Sequence, residues 1–160
     1  MVLISACLLG VCCKYNGGDN KNNEVLKILK KHPVIPICPE QLGGLSTPRK
    51  PAEIQACSAD DVLKGNGKVV NLDGNDVTEY FIRGAYEALK LAQIYDVKIA
   101  ILKSKSPSCG CGLIYDGSFS GKLKEGNGIT TELLIQNGVK VYTEKDLEKT
   151  DWEKILKIDY

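Results

Sequence analysis

The sequence predicts an α/β fold in which an open, mostly parallel, Rossmann-like sheet carries helices on both faces. Short apolar runs that suit buried strands alternate with segments of helical periodicity. The clearest of these runs are Val2–Cys7, Val34–Cys38, Val97–Leu102 and Val139–Thr143. Consecutive runs are separated by enough residues for the crossover connection that parallel strands need. With 160 residues and 43% apolar composition, residues 1–160 are expected to form a single domain.

The first half of the chain predicts two βα units. Val2–Cys7 reads as a strand, and Asn22–Lys31 follows it with apolar residues at helical spacing. Val34–Cys38 predicts a second strand, which Pro39 closes because proline cannot donate to a ladder. A loop rich in glycine and proline then surrounds the basic pair Arg49–Lys50, which is expected to be solvated.

The middle of the chain predicts a short strand and a long helix. Lys68–Leu72 suits a strand and Asp73–Gly74 a turn. Asp76 or Thr78 can cap a helix that runs to about Tyr95. Its expected core-facing residues are Phe81, Ala85, Ala88, Leu89 and Ala92.

The last third begins with the strand Val97–Leu102, and the segment LKSKSPSCGCG starts at its end. GLIYDGSFSGKL then predicts a hairpin-like excursion, followed by a helix at Thr130–Gln136 that Asn137-Gly138 ends. After the strand Val139–Thr143, the charged tail 144–160 is expected to dock as a helix. The docking residues would be Leu147, Trp152 and Ile155.

Charge and hydropathy exclude several classes of partner. Twenty-one basic and twenty acidic residues leave a net charge of +1, which disfavours binding to extended nucleic acid or to an anionic membrane. No segment approaches the roughly 18–20 apolar residues of a membrane span, and the amino terminus lacks the basic start of a signal peptide. We therefore expect a cytoplasmic protein that acts on small molecules, of unassigned oligomeric state.

Seven cysteines are many for this length, and an odd number cannot all pair within one chain. In a reducing compartment, such thiols more often bind metal or take part in catalysis than form structural disulfides. Three of them, Cys7, Cys38 and Cys109, follow predicted parallel strands. Since ligands bind beyond the carboxyl ends of such strands, these three thiols are expected to converge on one site, suited to zinc or to an iron–sulfur cluster.

Three segments resemble the signature blocks of the TudS family of 2-thiouracil desulfurases. They are SACLLGVCCKYNGG, PICPEQLGGLSTPRKPAEI and KSKSPSCGCGLIYDGSFSGKL, they occur in the family's order, and the resemblance covers residues 1 to about 143. It implies a 4Fe-4S cluster held by Cys7, Cys38 and Cys109. It also implies that the fourth iron binds the sulfur of a thiolated nucleobase or nucleoside, which is removed without net electron transfer.

Two residues are the candidates for proton handling and substrate orientation. Glu40 lies two residues after Cys38 and suits a general acid or base, and Ser106 can hydrogen-bond the base or a water. A carboxylate is excluded at one position where the family often has Tyr-Asp-Gly, because this chain has Asn16 there.

Four other cysteines leave alternatives open. Cys12, Cys13, Cys57 and Cys111 suit small packed or solvent-facing thiols, although Cys13 and Cys111 lie close enough in sequence to a proposed ligand to replace it. Two other kinds of protein are compatible with this cysteine content: a zinc-stabilised α/β binding module and a thiol redox sensor. Colour distinguishes them, because only an iron–sulfur protein absorbs broadly in the visible range.

Overall fold

The computed structural model describes residues 1–157 and contains eight strands and seven helices within that part of the chain. The strands are β1 (Val2–Ser5), β2 (Val34–Ile37), β3 (Ala52–Gln55), β4 (Lys68–Asn71), β5 (Ile99–Leu102), β6 (Leu113–Tyr115), β7 (Leu123–Glu125) and β8 (Lys140–Thr143). The helices are α1 (Asn23–Leu29), α2 (Pro39–Leu42), α3 (Ala59–Leu63), α4 (Thr78–Ile94), α5 (Ile129–Gln136), α6 (Glu144–Leu147) and α7 (Trp152–Lys157).

A four-stranded parallel sheet in the order β2-β1-β5-β8 forms the centre of the fold. Alternate residues of its inner strands point to opposite faces. Leu3 and Leu102 belong to a core that also contains α4 and α5, whereas Ile4 and Ile101 belong to a core with α1, α6 and α7. The predicted parallel sheet with helices on both faces is therefore confirmed.

The first helix begins at a side-chain cap, whereas the long helix begins beside the predicted capping residues. The Asn22 side chain accepts hydrogen bonds from the backbone N–H groups of Glu24 and Val25, so it caps α1. At α4 the N-cap residue is Val77 and not Asp76 or Thr78 as predicted, although Asp76 accepts a hydrogen bond from the Thr78 N–H at the first residue of the helix. All five residues expected to face the core from α4 are buried.

Several short elements were not predicted. The loop expected around Arg49–Lys50 is present between α2 and β3, but no element was predicted for α2, β3 or α3, and β3 pairs antiparallel with β4. The hairpin of β6 and β7 was predicted and is present. The tail forms two short helices instead of one, with Leu147 and Ile155 buried as expected. Residues 158–160 of the predicted tail lie outside the described residues.

Helix α2 contacts α4 through the backbones of two glycines. A Cβ atom on Gly43 would lie 2.0 Å from the Tyr80 carbonyl oxygen, and one on Gly84 would lie 1.9 Å from the Pro39 carbonyl oxygen. No side chain fits at either position, so only glycine permits this packing. The contact fixes α2 beneath the carboxyl end of β2.

Among the helices at residues 1–157, every one is too short or too polar to cross a lipid bilayer.

Candidate active site

The connectivity of the sheet brings three cysteines to one edge. The chain leaves the central strand β1 towards β2 on one side, while β5 lies on the other side of β1, so this edge is a topological switch point. Cys7 lies in a 3-10 turn directly after β1, Cys38 directly follows β2, and Cys109 lies in the turn after β5.

A cavity of about 540 Å³ opens at this edge. Its volume is in the range of small-molecule binding sites, roughly 300–1,000 Å³. The five residues predicted for the site, Cys7, Cys38, Cys109, Glu40 and Ser106, all line it, and so does Cys13. The structure therefore brings together every residue predicted for the site.

The thiols of Cys7 and Cys38 have lowered pKa values. The Cys13 thiol hydrogen-bonds both, which lowers the pKa of Cys7 and lowers that of Cys38 to about 7, although burial opposes both shifts. The same contacts, first with Cys38 and then with Cys7, raise the pKa of Cys13. Cys13 lines the cavity beside two proposed ligands, and its carbonyl oxygen accepts a hydrogen bond from the Cys38 thiol at 3.7 Å.

Cys109 differs from these two cysteines because it is buried. Burial raises the pKa of its thiol to about 12. The Cys109 backbone N–H and that of Ser108 both donate to the Ser106 hydroxyl oxygen, at 3.1 Å each. Ser106 thus shapes the turn that carries Cys109, and its own hydroxyl hydrogen can still be donated to a ligand in the cavity.

Glu40 lies in the first turn of α2 and is held by Arg49. The Arg49 Nε donates to Glu40 Oε2 at 2.5 Å, and the two side chains are only 8% and 16% exposed. Arg49 also donates to the Cys13 carbonyl oxygen at 2.9 Å and lies 4.0 Å from Cys38 Sγ. The expectation that Arg49 is solvated is therefore wrong, whereas Lys50 is exposed as expected.

A second ion pair, between Lys103 and Glu144, lies beside the cavity, and its side chains are 26% and 6% exposed. Lys103, directly after β5, lines the cavity and donates to Glu144 at 2.8 Å. The Ser104 hydroxyl and N–H donate to the same carboxylate, at 2.6 and 2.9 Å. Burial raises the pKa of Glu144, but these hydrogen bonds outweigh burial and lower it overall. Neither Lys103 nor Glu144 was singled out from the sequence, because polar residues after a strand carry no specific signal.

The other cysteines lie away from the proposed ligands. The Cys111 thiol donates to the Val141 carbonyl oxygen at 3.7 Å and does not line the cavity. Cys57 packs at the edge of the core around α4, and Cys12 is exposed. Of the two cysteines considered as replacement ligands, only Cys13 is at the cavity.

The donor set suits an iron–sulfur cluster. Thiolates are the usual ligands of such clusters, and each binds a different iron, so they can be spread around a larger space. A single zinc ion instead requires its ligands at about 2.3 Å from one point. Within residues 1–157, no three Cys, His, Asp or Glu side chains are grouped around one point as ligands of a single ion.

Comparison with known proteins gives the same assignment. A family model described as 2-thiouracil desulfurase matches residues 2–146. The uncharacterized protein YbbK of Bacillus subtilis (strain 168) is 45% identical over 147 residues, covering 92% of this chain and 97% of that protein. A solved structure described as the 4Fe-4S-dependent thiouracil desulfidase TudS matches with a TM-score of 0.83 and 38% identity, over 97% of both chains.

The region matched by the family model contains the whole parallel sheet and all three turns that carry Cys7, Cys38 and Cys109. The similarity therefore extends over both the fold and the cavity. On this evidence the chain belongs to the 2-thiouracil desulfurase family.

Proposed function

We propose that this thiouracil desulfurase binds a 4Fe-4S cluster through Cys7, Cys38 and Cys109 and uses Glu40 and Ser106 to remove the sulfur of a thiolated pyrimidine. One observation carries the assignment: three thiols from the ends of three adjacent parallel strands line the same cavity as a buried carboxylate. When bound, a cluster with three cysteine ligands supplies a Lewis-acidic iron that is open to the sulfur of the substrate.

The protein residues supply proton transfer and orientation. Glu40 takes a proton from a water molecule, whose oxygen adds to the thiocarbonyl carbon. Arg49 keeps the carboxylate of Glu40 turned towards the cavity throughout. Ser106 donates its hydroxyl hydrogen to a ring oxygen or nitrogen, which orients the base.

The atoms balance without an electron donor. Water and the thiocarbonyl give a carbonyl and hydrogen sulfide, and the proton held by Glu40 returns to the products. The carbon keeps its oxidation state because a double bond to oxygen replaces a double bond to sulfur. The reaction therefore requires water as the only second substrate.

The substrate class follows from the size of the site. The cavity suits a free thiolated base or a nucleoside, and the near-neutral net charge disfavours extended nucleic acid. All seven cysteines are free thiols, which supports action in a reducing compartment such as the cytoplasm.

Turnover by the anaerobically reconstituted enzyme tests this function. We expect 2-thiouracil to give uracil and one equivalent of sulfide with no reductant present. Glu40→Gln should retain the visible absorption of the cluster and lose turnover by about 10²–10⁴-fold. The matched control is Glu79→Gln, since that side chain is 85% exposed on α4, and it should turn over like the parent. A requirement for one or more electrons per uracil would contradict the mechanism.

A further inference from the structure

The loop between β6 and β7 places an aromatic residue in the cavity in an unusual backbone conformation. Phe119 lines the cavity, and its φ is +55°. Bulky residues rarely adopt this left-handed region, because the Cβ atom crowds the backbone. Such conformations persist only where surrounding contacts hold them, and they are concentrated at functional sites.

The residue that holds Phe119 is Glu53 on β3. Its side chain is buried, with 7% of the residue exposed, and its Oε2 accepts hydrogen bonds from the backbone N–H groups of Gly117 at 2.8 Å and Phe119 at 3.0 Å. A buried carboxylate is costly unless its hydrogen-bonding capacity is used. Here the carboxylate accepts hydrogen bonds from the loop backbone on both sides of Ser118.

Two further contacts press the same loop onto β3. The Gln55 side chain donates to the Gly117 carbonyl oxygen at 3.1 Å. A Cβ atom on Gly117 would lie 2.6 Å from the Ile54 carbonyl oxygen, so the loop backbone lies directly against the strand. The backbone that carries the Phe119 side chain is therefore held by β3, which pairs with β4.

We propose that Phe119 is the surface on which the pyrimidine ring stacks, and that Glu53 is the positioning residue that holds Phe119 in place. This inference rests on the proposed function, because it assigns the wall of the cavity that receives the base. A pyrimidine presents a flat π face, and an aromatic side chain binds that face independently of its ring substituents. Stacking fixes the plane of the pyrimidine ring, while a hydrogen bond from Ser106 fixes how the ring is turned within that plane.

Binding to the anaerobic holoenzyme provides the test, with calorimetric Kd values for 2-thiouracil and uracil. Phe119→Leu keeps an apolar side chain but removes the π face, and it should weaken binding by about 5- to 150-fold, the range that corresponds to the loss of one base–aromatic stack. Phe119→Tyr should bind like the parent. Phe119→Gly also relieves the left-handed backbone, so its loss of affinity cannot be attributed to misfolding.

Glu53 requires its own variants. Glu53→Leu removes the acceptor and should weaken binding as much as Phe119→Leu, whereas Glu53→Gln retains an acceptor oxygen and should restore most of the affinity. In the double variant with Phe119→Leu, the change Glu53→Leu should add little, because both act on the same stack. A merely structural role for Glu53 would give additive losses. Iron content and visible absorption should match the parent in every variant.

The outcomes separate this inference from the proposed function. The control Tyr86→Leu removes an aromatic residue that is 50% exposed on α4, and it should leave the Kd unchanged. If the parent releases sulfide but Phe119→Leu and Phe119→Gly bind within twofold of it, the stacking assignment is wrong and the activity stands. If the parent binds 2-thiouracil through Phe119 but releases no sulfide, the stack is supported and the desulfuration is wrong. A parent that neither binds nor reacts overturns both.

Discussion

Arg49 and Glu40 form a buried ion pair at the wall of the active-site cavity, and the same guanidinium also hydrogen-bonds the backbone beside Cys38, at the Cys13 carbonyl. One side chain thus connects the carboxylate that we propose for proton transfer to the segment that carries the thiols of Cys12 and Cys13. Lysine cannot reproduce these contacts, because they use separate nitrogens of a planar group.

Substitution of Arg49 should therefore reduce turnover more than cluster content. Arg49→Lys and Arg49→Met are expected to lower kcat by roughly 10–100-fold, because a displaced catalytic group costs about that much. Sulfide release and iron content, measured on the same preparations, check this. Lys50→Met is the matched control, since Lys50 is exposed and pairs with the exposed Asp73 at 3.6 Å. Parental kcat in Arg49→Met would show that Glu40 does not depend on this pair.

The three proposed ligands should each be required for cluster binding. Cys7→Ala, Cys38→Ala and Cys109→Ala are expected to lose the visible absorption and most of the iron. Cys57→Ala and Cys111→Ala should retain both, because neither thiol lines the cavity. Full iron content in Cys109→Ala would contradict the assignment, and partial loss in every variant would indicate general misfolding.

Cys13 should support the ligands without being one. Its thiol interacts with those of Cys7 and Cys38, its carbonyl oxygen accepts from the Cys38 thiol at 3.7 Å, and hydrogen bonds to metal ligands commonly contribute about 10–100-fold to metal affinity. Cys13→Ala is therefore expected to assemble a cluster that is lost to a chelator faster by about that factor. Chelation kinetics, followed by absorbance, measure this. Failure to assemble any cluster would instead make Cys13 a ligand.

The ion pair of Glu144 with Lys103 should make stability depend on pH. The pKa of Glu144 is lowered from its ordinary value of 4.5, so its stabilisation is complete above 4.5 and is lost as pH falls through the lower folded-state pKa. At neutral pH, Glu144→Gln should lower the free energy of unfolding by roughly 1–3 kcal/mol, the usual contribution of hydrogen bonds to a charged group.

Denaturant unfolding of the cluster-free protein measures this difference, because acid would destroy the cluster. The difference between parent and Glu144→Gln should shrink once the pH is below the folded-state pKa. Glu148→Gln is the control, since its exposed pair with Lys145 at 3.6 Å should contribute only about 0–1 kcal/mol. A difference that stays constant down to acid pH would mean that the carboxylate charge is not the source.

Much of this site can be predicted from the sequence because parallel strands place their ends together. The apolar runs that precede Cys7, Cys38 and Cys109 are short and continuous, which is typical of strands in a buried parallel sheet. In the structure β1 and β5 are buried along their whole length. Helix α4 was predicted because its apolar residues keep their period for several turns. These are local patterns with a single structural interpretation.

The missed parts depend on contacts between distant segments. Strand β3 alternates weakly and contains a glutamate, and only its pairing with β4 and the loop after β6 makes Glu53 a buried residue. Arg49 belongs to a basic pair between two prolines, and side chains in such loops are usually solvated. In the structure the Arg49 side chain instead turns back and pairs with Glu40. Neither partner can be identified from spacing along the chain.

The glycine contact between α2 and α4 has a consequence for redesign of the enzyme. Helix α2 is a single turn, too short to be stable alone, so the long helix behind it determines where Glu40 lies. Gly84 carries no reactive group and does not line the cavity, yet any side chain there would displace the Pro39 carbonyl and with it the next residue, Glu40. Laboratory evolution towards other thiolated rings should therefore hold positions 43 and 84 constant and place its diversity in the loop after β6.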